Sequence, residues 1–111
     1  MTPMQEAKAR VLVGLRAALQ WVDLETEPKP PREWRDRAWA IYRTNAYQVD
    51  RRCPVCVVYG RRCGECPFLE ECDNWFDLSW LEEVAHQETI VPGVVAELLR
   101  AFIERVEAVE V

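Results

Sequence analysis

All five cysteines of this chain fall within residues 53–72, and no other feature limits so strongly what the chain can fold into. They form two Cys-x-x-Cys pairs, Cys53/Cys56 and Cys63/Cys66, separated by six residues, with Cys72 following after five more. A Cys-x-x-Cys turn brings two thiolates to one ion, so two such turns supply the four sulfurs in tetrahedral array that structural zinc takes. Zinc held by four of Cys53, Cys56, Cys63, Cys66 and Cys72 is therefore the expected cofactor. The fifth cysteine is left as a ligand in an exchanged set, a buried small apolar residue or a cluster ligand. An iron–sulfur cluster is the alternative, because it also takes four thiolates and because Pro67 directly follows Cys66, as in cluster-binding runs. A disulfide framework fits less well, since the count is odd and the sequence shows no export signal. A dithiol redox pair would want a neighbouring strand–helix–strand unit, and none is legible.

The order Cys53, Cys56, Tyr59, Cys63, Cys66, Pro67, Cys72 and Phe76 resembles a cysteine-rich motif of small bacterial and phage proteins. The resemblance implies a metal-binding module and no particular activity. The shorter run Cys63-x-x-Cys66-x5-Cys72 is similar to the cysteine triplet of WhiB-like iron–sulfur regulators and of CRISPR-associated RecB-type nucleases. No glycine–tryptophan turn follows that triplet here and no nuclease core fits the length, so neither activity carries over.

At 111 residues, half of them apolar, the chain is expected to be one domain with a modest core. Bunched cysteines and the lack of a cleavable signal point to a reducing cytoplasm. No uncharged apolar run is long enough to span a bilayer.

The net charge of −5 is unevenly spread. Residues 29–62 carry nine basic and three acidic side chains, whereas residues 63–111 carry two basic and twelve acidic. A basic middle and an acidic end are expected either to fold against each other or to meet a charged partner.

Periodicity predicts a small all-α domain of three or four helices, with an inserted Cys-rich metal-binding loop. The first helix, about 3–24, has Thr2 as cap, Pro3 at its first position and Gln5 completing a capping box. Its apolar face is Met4, Ala7, Val11, Leu12, Leu15, Ala18, Leu19 and Val22. Residues 25–31 hold three prolines and read as a stiff connector. A second helix, about 32–50, turns Trp34, Ala38, Ile41, Tyr42, Ala46 and Val49 to one side, with Trp39 off the stripe. The metal loop covers 51–76, with any strands confined to a short knuckle hairpin and with Tyr59, Trp75 and Phe76 expected to cover the site. A third helix is expected at about 79–88, with Ser79 and Glu82 as a second capping box, and a last one at about 94–109 after the turn at 91–93. The last helix has a broad apolar face, Val95, Leu98, Leu99, Phe102, Ile103, Val106 and Val109, suited to the first helix or in part to a homodimer.

Arg51, Arg52, Arg61 and Arg62 each stand just before a cysteine pair, where they offset the net −2 of a zinc–tetrathiolate centre. The same arginines, with Arg35 and Arg43 and the rings of Trp39, Tyr42 and Tyr47, are the residues a nucleic-acid face would use. His86 stands alone, and no acid–base pair, phosphate loop or open-site histidine set is legible, so catalysis is not expected. The expected role is a non-enzymatic, metal-stabilised protein-binding module or regulator whose acidic end meets a protein partner. The alternatives are a nucleic-acid-binding zinc protein and, more remotely, an iron–sulfur redox sensor.

Overall fold

The chain's longest helix, α1 (Pro3–Leu24), starts at a complete capping box. The Gln5 amide donates to Thr2 Oγ1 at 3.2 Å, and the Thr2 amide donates to Gln5 Oε1 at 2.9 Å, so two otherwise orphaned donors are satisfied reciprocally. Proline at the first position removes a third donor at no cost to the ladder. A computed structural model describes residues 1–47, 53–59, 65–68 and 79–111. Among these it is all-α, with α1, α2 (Pro31–Ala46), α3 (Pro54–Tyr59), a 3-10 turn (Ser79–Val84) and α4 (Pro92–Ala108), and no strand.

α1 is the central element, and α2 and α4 dock on it antiparallel. The direction follows from the contacts: Gly14 meets Tyr42 and Ala46, while Trp21 meets Trp34 at the other end. On the second side Arg100 pairs with Asp23 at 2.8 Å and Arg16 with Glu107 at 3.5 Å. The molecule measures 40 × 24 × 24 Å, its long axis set by the roughly 33 Å that 22 helical residues span. Ala7, Val11, Leu12, Leu15, Ala18 and Val22 are buried as the periodicity predicts, with Met4 and Leu19 at the margin. From α4 come Val95, Leu99, Phe102, Ile103 and Val106, so its broad face packs on α1.

Gly14 is the contact that sets how near α2 can come. A Cβ there would stand 2.8 Å from Ala46 Cβ, from Tyr42 Cδ2 and from the Tyr42 carbonyl oxygen. Glycine in a helix interior loses about 1 kcal/mol relative to alanine. That loss is accepted where two backbones must approach.

The second junction lies in the proline segment 25–31. Pro28 and Pro30 have no amide hydrogen, so the N–H of Lys29 between them has to find an acceptor. It donates to the Ile90 carbonyl at 3.1 Å, and the Ile90 amide returns a bond to the Lys29 carbonyl at 2.8 Å. The indole N–H of the wholly buried Trp34 donates to the same Ile90 carbonyl at 2.9 Å, occupying its second lone pair. Lys29 is buried over the Trp34 ring, 5.3 Å from its centroid, with Nζ 3.2 Å from Glu25 Oε2. The connector is thus a clasp between the α1–α2 turn and the entry to α4.

Several boundaries differ from expectation. α2 stops at Ala46 rather than 50 because the side chains of Thr44 and Asn45 fold back onto the carbonyls of Ala40 and Ile41, both at 2.8 Å, which weakens the helical alternative. Tyr47 then leaves in extended conformation and turns its ring onto Trp39 and Tyr42. Val49 lies outside the described residues. The third expected helix is a six-residue 3-10 helix ending at Val84, since after Leu81 and Val84 no large apolar side chain comes until Ile90. The side chains of Ser79 and Glu82, the expected capping box, lie outside what is described. α4 begins at Pro92, not 94, because Pro92 takes the first helical position instead of ending a turn. At the opposite end Lys8 Nζ donates to the carbonyls of Glu107 and Val109, each at 2.7 Å, and Gln5 Nε2 to the carbonyl of Val111 at 3.1 Å.

Candidate metal centre

The first cysteine pair is carried by α3, not by a hairpin. Cys53 precedes the helix and its carbonyl accepts the Val57 amide at 3.1 Å, Pro54 takes the first helical position, and Cys56 lies within the first turn. Three of the six residues are valines, poor helix formers, so propensity alone does not hold so short a helix. Burial does: Pro54 and Val55 are buried, and α3 packs on α1. Val57 and Val58 face outward, 50% and 44% exposed.

Cys66 is placed in a similar way by its neighbour. The turn at 67–68 inserts Phe68 into the core, leaving Cys66 half-buried against the same hydrophobic cluster as Cys53. Cys53, Cys56 and Cys66 are all half-buried, and none is in a disulfide with another of the three. The hydroxyl of buried Tyr42 lies 4.0 Å from Cys53 Sγ, so α2 reaches the first cysteine directly.

Cys63 and Cys72 lie outside the described residues, as do Arg51, Arg52, Arg61, Arg62, Trp75, Phe76 and the side chain of Tyr59. Among the described residues no three His, Cys, Asp or Glu side chains converge as metal ligands. The donors that are described suit a soft or borderline ion: sulfur, half-buried, and set in a partly apolar surround that limits water. Completing a tetrathiolate set requires at least one of Cys63 and Cys72.

The arginine and aromatic residues divide. Arg35 Nε lies 3.5 Å from Asp36, Arg37 pairs with Glu33 at 3.2 Å, and Arg32 stands 4.0 Å from Asp36, all within α2. Within α2, Glu33 and Asp36 thus partly offset Arg32, Arg35 and Arg37, while Arg100 and Glu107 of α4 pair with Asp23 and Arg16 of α1. Arg43 is exposed. Tyr42 is buried beneath Trp39 and Tyr47, with ring centroids 5.5 and 5.9 Å away, so it cannot stack on a base without unpacking the α1–α2 contact. His86 is exposed in the turn after Val84. No described helix is long and apolar enough to cross a membrane.

Sequence reasoning passed over Gly14, the buried state of Lys29 and the Tyr42–Cys53 contact. For Lys29 a signal existed, since a residue between two prolines is held extended and owns the one amide hydrogen of its stretch. No family model matches the chain, nor does any curated protein or solved structure.

Proposed function

We propose that this chain is a non-enzymatic, metal-stabilised protein-binding module, in which four of Cys53, Cys56, Cys63, Cys66 and Cys72 hold one zinc ion. The observation that carries the reading is the anchoring of the cysteine segment. Val55 and Phe68 pin it to the helical core, while Cys53, Cys56 and Cys66 stay half-buried at its surface. Thiolate–zinc bonds add to this anchoring by tying the two cysteine pairs to one ion. When bound, zinc contributes structure and no reaction step.

For the binding role, two features support each other. Val57 and Val58 expose apolar surface one turn from the cysteines. The carboxyl half presents exposed Glu83, Glu88, Glu97, Glu104 and Glu110, a surface that attracts a basic patch on a partner protein. The test is metal analysis of protein purified without air. About one zinc per chain is the expected result, iron with sulfide would move the reading to a cluster, and no metal would remove it.

A further inference from the structure

The two cysteines at α3 occupy the two positions that the capping box links in α1. In α1 the side chains of the capping residue Thr2 and the third helical residue Gln5 each accept the other's backbone amide, at 3.2 and 2.9 Å, so the two residues lie side by side. In α3 the same frame holds Cys53 before the helix and Cys56 three residues on, with Cys53's carbonyl bonded to the Val57 amide. Residues three apart on a helix have Cα atoms about 5 Å from each other. A disulfide spans Cα separations of roughly 4.4–6.8 Å. Both sulfurs are half-buried, so a small reagent can reach them. Tyr42, wedged at Gly14, keeps a hydroxyl 4.0 Å from Cys53 Sγ.

We propose that Cys53 and Cys56 form a thiol–disulfide exchange pair for small-molecule disulfides, and that its closure withdraws two ligands from the metal centre. The withdrawal rests on the metal reading above; the exchange stands on α3 alone. The Cys53 thiolate attacks one sulfur of RSSR, the S–S bond of the reagent breaks, and the RS⁻ that leaves takes a proton. Cys56 then releases its proton to water and attacks Cys53 Sγ of the mixed disulfide, expelling the second RS⁻, which is protonated in turn. The cysteine pair is oxidised by two electrons and RSSR is reduced to two RSH.

The experiment exposes the full chain, zinc-loaded and chelated, to oxidised glutathione, followed by acid quench, alkylation and tryptic digestion. Cleavage after Arg52 and Arg61 yields a peptide, 53–61, whose cysteines are Cys53 and Cys56 alone. The expected product is that peptide unalkylated and lighter by two hydrogens, with zinc appearing in solution in step with it. In Cys56→Ser the peptide should instead retain one glutathione on Cys53. A fully alkylated peptide 53–61, or its linkage to Cys63, Cys66 or Cys72, overturns the exchange pair even if zinc is bound. Closure in the chelated protein alone overturns the withdrawal of ligands. Closure in a chain that never binds metal leaves the exchange standing and removes the metal reading.

Discussion

The other two long helices and the cysteine segment are held to α1 by different physics. α2 and α4 bury whole faces, from Ala7 to Val22 on one side of the contact and from Val95 to Val106 on the other, and add the Lys29–Ile90–Trp34 clasp. The described part of the cysteine segment has Pro54, Val55 and Phe68 in the core and places its three cysteines at the edge. Under the zinc reading, sulfur adds to that burial in the cysteine segment, whereas α2 and α4 rely on packed faces. The two regions should therefore fail independently.

Metal removal is the strongest test of that independence. Chelation should lower the melting temperature of the cysteine segment, tracked by protease cleavage after Arg52 and Arg61, by more than about 10 °C, the consequence of losing a ligand worth roughly 3 kcal/mol or more. Far-UV circular dichroism at low temperature should remain helical, because α1, α2 and α4 keep their core. A melt that is unchanged by chelator would end the contrast between the regions.

Trp34→Ala tests the other side. It empties a fully buried site and strips a donor from the Ile90 carbonyl, so urea unfolding should show a loss of about 3–5 kcal/mol, with zinc content per folded chain unaltered. Coupled loss of zinc would show one cooperative unit instead of two. Gly14→Ala should cost about 1–3 kcal/mol despite the better helix propensity of alanine, because its Cβ would press on the carbonyl of Tyr42 as well as on two side chains. A neutral or stabilising result in the same denaturation assay would mean that the α1–α2 distance is set elsewhere. The smallest effect is expected from Thr2→Ala, about 1 kcal/mol, the loss of a helix cap at a partly exposed end.

What could be read in advance follows from the range of the interactions. Thr2 and Gln5 announce the start of α1 because a capping box is local, and the apolar stripes of α1 and α4 are legible because burial follows the helical period. The end of α2 escaped because Thr44 and Asn45 compete through side-chain bonds that periodicity does not register. Gly14 and Lys29 escaped because their meaning lies in partners distant along the chain, Tyr42 and Ile90. At the candidate site, spacing singled out the cysteines, but it gave only a loop where Pro54 and buried Val55 make a helix.

The Ile90 carbonyl, shared by the Trp34 indole and the Lys29 amide, also bears on the order of events in folding. Its indole donor is 56 positions away in the chain, so the bond forms only after a large loop has closed. The α1–α2 pair, built from nearer neighbours, should assemble first, and seating of α4 should be the late step. Truncating Ile90 should then hasten unfolding far more than it slows refolding, and stopped-flow measurement of both limbs would reveal the opposite if α4 belonged to the nucleus.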